Sequence, residues 1–448
     1  MMKKNSPVLP AKEFADRRAQ LMSMVGPDAI VIVPSASLLH RNRDAEHIFR
    51  QDSDFQYLTN FNEPEAVAVL LPERKEGEFI LFCREKNPVT ERWTGRMAGL
   101  EGARELYGAD DAFPIDDIDE ILPGLMDRRE AVHYSMGTNT DFDRRVMAWV
   151  NTLRANVRSG QHPPHEFVSL DLLLHDMRLY KTRAEIKMMR HAAKTSIKAH
   201  ERAMTICKPG LNEGQLEAEF LHQFKWDGMV PAYTTIVGGG ENACVLHYIE
   251  NNQALNDGDL VLIDAGAEYG CYASDITRTF PVNGKFTKPQ RQIYQLVLDA
   301  YHAAVAVSQP GNTWNDPHDA AVEVISQGLI DLGLLEGDLE SVLESGSYRE
   351  FFMHKTGHWL GLDVHDVGDY KVDDEWRLLE NGMVLTIEPG IYISPSKTVD
   401  EKWWNIGVRI EDDVLITREG NEVLTGALVK EVDEIEALMA KGKSKKKG

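Results

Sequence analysis

The sequence predicts an α/β amino-terminal domain over residues 1–175, an α+β domain with internal pseudo-symmetry over 176–440, and a basic flexible tail at 441–448. Three observations carry this reading. The first part holds short, continuously apolar β-type runs separated by turns and helical patterns. The second part opens on helices marked by capping signals. It then presents one glycine-strand-acid pattern twice. A chain of 448 residues is long enough for two substantial cores, because single cores stop growing near roughly 250–300 residues.

In the first part, Ala29–Val33 is an apolar run, and Ala66–Leu71 and Phe79–Phe82 form a candidate pair around the charged turn Glu73–Glu78. Continuous rather than alternating apolar character suits a sheet covered on both faces. The stretch Ser159–His165, with two prolines and a glycine, is the best linker candidate.

The second part begins with Thr182 and Glu185 in capping-box spacing, followed by Ile186, Met189, Ala193, Ile197 and Met204 at helical intervals. These methionines read as core residues. Cys207–Gly210 stops that helix, and Asn212 with Gln215 starts another that buries Leu216 and Phe220. A third helix is expected over 289–308, with Ile293, Leu296, Val297 and Ala300 as its apolar face.

Composition narrows the function classes. With 49 Lys plus Arg against 71 Asp plus Glu, the formal charge of -22 argues against a nucleic-acid partner. The four cysteines form no CxxC pair and read as reduced thiols. No run approaches the roughly 18 apolar residues of a membrane helix, and no apolar stretch follows the first lysines as in a secretory signal. A cytoplasmic location with no membrane partner is expected.

The repeat is the most informative feature. Gly258–Gly266 and Gly382–Gly390 each place a glycine before a β-run, an acid at its end (Asp264 and Glu388), and a glycine beyond. Each acid has an acidic neighbour downstream: Asp275 across the turn Tyr269–Cys271, and Glu411 in the strand pattern 408–416. Two antiparallel pairs then bring four carboxylates to one centre. Like charges held close raise one another's pKa or bind cations, and four acids on apolar strands favour cations. A single buried acid is ordinarily a hydrogen-bonded core residue; the conjunction with His358 is what points to metal. Oxygen-rich ligation with one imidazole suits manganese, iron, cobalt or zinc.

His247 precedes the first repeat and His365 the second, with His354 and His358 between the two. The His354/His358 spacing lacks the glutamate of HExxH, and Gly357 and Gly361 weaken a helix there, so an extended segment or a loop is expected.

From about 181 to 437 the chain resembles the pita-bread metallopeptidases, which include methionine aminopeptidase, prolidase and aminopeptidase P. The ordered set Asp264, Asp275, His358, Glu388 and Glu411 carries the resemblance. Within that family it is most similar to bacterial-type Xaa-Pro aminopeptidases, through Asp52–Glu65, His358–Val367 and Gly407–Asp413. The resemblance implies a ribonuclease H/creatinase-like amino-terminal domain, a pita-bread catalytic domain, and a homodimer or homotetramer. It implies two divalent ions, Mn2+ first with Co2+ or Zn2+ as alternatives, and short peptides with proline second as substrates.

By the same resemblance, Asp264 chelates one ion, His358 and Glu388 the other, and Asp275 and Glu411 bridge them around a hydroxide nucleophile. His247 and His365 lie beside the scissile group, His354 shapes the prolyl pocket, and Glu388 shuttles a proton. Arg409 pairs with a ligand carboxylate or a substrate carbonyl, and Tyr233 lies near the metals. Asp44 and Trp93 are expected to bind substrate from the amino-terminal domain. Lys355 replaces the glycine usual after the histidine at position 354. The nearest rival is a prolidase confined to Xaa-Pro dipeptides; creatine amidinohydrolase and a non-enzymatic binding module fit less well, since every ligand is retained.

Overall fold

The computed structural model describes residues 6–444. It resolves into two compact units, Leu9–Arg178 and the chain from Leu179 onward together with the short segment before Leu9.

The first unit is built on a six-stranded sheet. Its strand order is Asp111–Pro114, Phe79–Cys83, Val67–Leu70, Ala29–Pro34, Ala131–Tyr134 and Glu166–Ser169. Val67–Leu70 runs antiparallel to both of its neighbours, and the remaining pairings are parallel. The apolar runs are continuous because both faces are covered. Ile30, Ile32, Val69, Ile80 and Phe82 pack with Leu122, Val146, Trp149 and Val150 from the Ile118–Met126 and Thr140–Ala155 helices. The expected pairing of the runs around Glu73–Glu78 is an antiparallel ladder from Val67↔Phe82 to Leu70↔Phe79.

The linker expectation at Ser159–His165 is corrected by the structure. Arg128 N donates to His162 O and His165 N to Glu130 O, and the chain beyond adds the edge strand Glu166–Ser169 to the same sheet. The prolines and glycine there turn the chain inside one unit, and the division between units falls after Arg178.

In the second unit, both predicted capping boxes form, Thr182 with Glu185 and Asn212 with Gln215, and open the helices Arg183–Ile206 and Glu213–Trp226. A third helix spans Lys288–Val307. The helix Val432–Ser444 reaches into the segment expected as a flexible tail, and residues 445–448 lie outside the described residues.

The repeat appears as two antiparallel constructions. Leu260–Asp264 pairs with Thr277–Pro281 on one side and Ile236–Gly239 on the other. Val384–Ile387 pairs with Asp412–Thr417, and Gly390–Ile393 with Ile406–Arg409. The strand expected to run unbroken over 408–416 is interrupted at Ile410 and Glu411, because its two halves join different sheets. Buried polar groups lock the halves together. Glu411 N donates to Thr277 O at 3.1 Å, and Asp275 N to Asp413 Oδ1 at 3.1 Å. Arg278 spans the seam, donating to Glu411 O at 2.6 Å and to Asp412 Oδ1 at 2.9 Å. Asp412 also accepts from Tyr301 Oη and Lys430 Nζ, so neither charge of this fully buried pair is left alone.

Candidate active site

The strand ends and the loop between the repeats deliver their polar side chains to one cavity of about 530 Å3 in the second unit. Asp264 ends its strand, Asp275 lies two residues before its own, Glu388 follows Ile387, and Glu411 sits in the break between two strands. The segment 353–370 holds no helix, as the absent glutamate and the glycines predicted. Gly357 is obligatory there, since an added Cβ would lie 2.0 Å from Thr386 O. That close approach docks the loop on the Val384–Ile387 strand, where Thr386 N donates to His358 O and Glu388 N to Thr356 O.

Asp275, His358 and Glu411 offer donor atoms all within 4.8 Å of one another. His358 Nδ1 lies 3.0 Å from the Trp359 carbonyl oxygen, so this nitrogen carries a proton and Nε2 is left facing Asp275 Oδ2 at 3.5 Å and Glu388 Oε1 at 3.7 Å. A neutral imidazole would point its lone pair at two carboxylates. That arrangement needs a proton or a cation between them.

The electrostatics agree. Burial and the neighbouring acids hold Glu411 well above the usual carboxylate range, and push Glu388 up to about 7. Asp264 is raised by burial and by Asp275, with Arg409 opposing. For Asp275 the burial effect is outweighed by His358, Tyr233 and Arg409, which hold it low. Burial alone would lower His358, but Asp275 and Glu388 push its imidazolium up to about 9. Four carboxylates, Asp275 and Glu411 buried and Asp264 and Glu388 partly so, sharing so little positive charge fit a pair of divalent cations, and the donor set of oxygens plus one imidazole matches their chemistry.

Around these five groups lies a supporting set. Tyr233 Oη donates to Asp264 Oδ1 at 2.6 Å and also contacts Asp275. Arg409 Nη2 donates to Asp264 Oδ2 at 2.7 Å, and its Nε to Thr277 Oγ1 at 3.1 Å. Thr277 in turn donates to Glu411 Oε2 at 2.6 Å. Arg409 Nη1 donates to Tyr392 Oη at 3.0 Å, which lies 2.9 Å from His354 Nε2. With His354 Nδ1 at 2.7 Å from Lys355 O, the His354 ring is neutral and accepts the Tyr392 proton; burial and then Arg409 hold its pKa down to about 4.

His247 and His365 are exposed at the cavity wall, the latter with its ring centroid 4.1 Å from that of His358. Its neighbour Asp366 is buried against Lys181 Nζ at 2.8 Å, which anchors the loop carrying both histidines.

Ten of the residues singled out in the sequence therefore line one cavity: Tyr233, His247, Asp264, Asp275, His354, His358, His365, Glu388, Arg409 and Glu411. Asp44 and Trp93 belong to the other unit. Asp44 lies in the turn between the short strands His40–Asn42 and Ala45–Glu46, and Trp93 is 86% exposed on the helix Pro88–Thr94. Sequence reasoning missed Thr277, Tyr392, Lys181 and Asp366. Tyr392 alone carried a signal, lying two residues beyond the glycine that closes the second repeat.

The fold and this cavity define a divalent-metal-dependent peptidase: residues 187–418 match the model of metallopeptidase family M24, and the chain belongs to that family. Residues 14–134 match the aminopeptidase P amino-terminal domain. The chain is 44% identical over 430 residues to the Xaa-Pro aminopeptidase of Escherichia coli (strain K12), covering 96% of this chain and 97% of that protein. Its structure is similar to that of Pseudomonas aeruginosa aminopeptidase PepP, with a TM-score of 0.97, 57% identity, and 99% and 100% of the two chains covered. Zn-substituted E. coli aminopeptidase P in complex with product gives a TM-score of 0.95 at 43% identity, over 97% of this chain and 99% of that one. Among the described residues no helix is long and apolar enough to cross a membrane.

Proposed function

We propose that the protein is an Xaa-Pro aminopeptidase that releases the first residue of short peptides with proline in second place. The carrying observation is the convergence of Asp264, Asp275, His358, Glu388 and Glu411 on one cavity whose wall also bears His247, His354 and His365.

Asp264, Asp275, His358, Glu388 and Glu411 would hold the two ions, Asp264 towards one, His358 and Glu388 towards the other, and Asp275 and Glu411 would contribute to both. The two divalent cations, Mn2+ in the first instance and Co2+ or Zn2+ as alternatives, supply Lewis acidity that makes water nucleophilic at neutral pH. The chain's own groups do the rest. Arg409 and Tyr233 hold Asp264 by hydrogen bonds on separate oxygens, which fixes its orientation. Glu388, whose carboxylate lines the cavity, would take a proton and return it to the leaving nitrogen. His247 and His365 face the cavity where a scissile carbonyl must lie and can donate to its oxygen. Neutral His354, with Leu246 and Ile249, provides a weakly polar wall for a proline ring, whose nitrogen has no proton to be satisfied.

Asp44 and Trp93 are proposed to contact substrate within a homodimer or homotetramer, and the cytoplasm is the proposed location. The deciding experiment removes metal by chelation, restores Mn2+, Co2+ or Zn2+ singly, and assays an Xaa-Pro-Xaa tripeptide beside an Xaa-Pro dipeptide. Tripeptide hydrolysis that vanishes with the metal and returns on add-back is expected. Cleavage confined to the dipeptide would assign a prolidase instead.

A further inference from the structure

The cavity is electrically polar. Its lining joins the acids Asp264, Asp275, Glu388 and Glu411, brought together by the strand ends, with Lys355, the residue after His354. Lys355 is exposed, and among the described residues its ammonium has one hydrogen-bond partner, Asn315 Oδ1 at 3.2 Å. Asn315 itself donates to Asp319 Oδ1 at 2.8 Å, so an amide stands between this carboxylate and the ammonium. Among the described residues, no carboxylate forms an ion pair with Lys355.

A second ammonium shares its surroundings. Lys355 Nζ lies 5.4 Å and Lys371 Nζ 4.6 Å from the centroid of the same Trp376 ring. Lys371 and Trp376 are directly opposite in the hairpin of Lys371–Val372 and Glu375–Trp376, whose turn residues Asp373 and Asp374 both have positive φ. Burial lowers the Lys355 amine from its usual value; Asp319 partly restores it, and Arg349 and Lys371 lower it further. Lys355 and Lys371 thus share one indole face or edge, which stabilises their charge without neutralising it.

A short peptide is a zwitterion, with an ammonium at the end to be cleaved and a carboxylate at the other. The cavity is the complementary dipole. We propose that Lys355, supported by Lys371, is a specificity-determining residue that receives the carboxylate terminus of short Xaa-Pro-Xaa substrates. This rests on the peptidase reading above and adds a substrate class to it: free-acid tripeptides, and longer peptides with an acidic residue soon after the proline.

The test uses the metal-loaded full-length protein and one tripeptide, Ala-Pro-Ala, as the free acid and as the carboxy-terminal amide. The wild type should prefer the acid by about 3- to 5-fold in kcat/KM, the scale of one partly exposed ion pair, with the difference in KM. Raising the salt from about 0.05 M to about 0.5 M should erode the preference by screening. In Lys355→Gln the acid-to-amide ratio should fall to about one, and in Lys355→Glu the amide should become the better substrate. Circular dichroism on each variant checks that the exposed substitution leaves the fold intact. Equal hydrolysis of both peptides by the wild type, or a preference that survives in Lys355→Gln, overturns the assignment and leaves the peptidase reading standing. Hydrolysis of neither peptide by the metal-loaded wild type overturns both.

Discussion

Thr277 donates its hydroxyl proton to Glu411 Oε2 at 2.6 Å, across the seam between the two halves of the repeat. Thr277 Oγ1 itself accepts from Arg409 Nε at 3.1 Å. One small hydroxyl thereby sets the orientation of an acid whose pKa burial and the neighbouring carboxylates raise.

Thr277→Val keeps the shape and removes both hydrogen bonds. Loss of such an outer hydrogen bond costs roughly 10- to 100-fold in metal affinity or activity. Bound metal by atomic emission and kcat/KM should fall together while the thermal transition stays cooperative. Full metal content with unchanged kinetics would remove Thr277 from the site.

Asp275→Asn should lose at least about 100-fold in activity with little change in far-UV circular dichroism, because it deletes a charge that both proposed cation positions share. The backbone N–H of residue 275 still reaches Asp413, which preserves the seam. Wild-type activity in this variant would reject the bridging assignment.

Lys181 and Asp366 form an ion pair buried to 1% exposure on each side. Lys181→Met removes the ammonium that faces the buried Asp366 carboxylate and should cost about 3–5 kcal/mol in denaturant unfolding, whereas Lys181→Met with Asp366→Leu should recover most of it. If the single variant is as stable as the wild type, the pair does not anchor the loop of His358 and His365.

His200 is fully buried, its Nε2 lies 3.0 Å from Ala265 O, and burial brings its pKa down from 6.5 to about 3. Its unfolded pKa exceeds its folded one, so the unfolded chain takes up a proton first as pH falls. The resulting loss of stability is absent above pH 6.5 and grows down towards pH 3. His200→Gln, which cannot take up that proton, should show a shallower decline of Tm below pH 6.5 than the wild type. Parallel Tm profiles for the two proteins would contradict this.

What the sequence disclosed followed periodicity and local chemistry. The capping boxes at Thr182 and Asn212 are four-residue events, and the acids of the repeat announced themselves by equal spacing from glycine. The linker failed because Ser159–His165 has linker composition, yet a later strand returns to the sheet. The unbroken strand over 408–416 failed because an apolar alternation does not reveal that Arg409 and Asp412 pair with different partners. Thr277, Lys181 and Asp366 were invisible for a related reason: each acts through a residue more than a hundred positions away, and nothing local marks it. The assignment of individual ligands came from the family pattern, with the geometry now supplying distances.

The seam also sets an order of events during synthesis. Asp264, Asp275 and Thr277 leave the ribosome long before Glu411, Asp412 and Asp413, so Arg278 and the Asp275 N–H have no partners while the first half stands alone. The nascent chain therefore carries an incomplete acidic pocket until residues 411–413 have emerged, and the first half of the repeat waits for the second to close its hydrogen bonds.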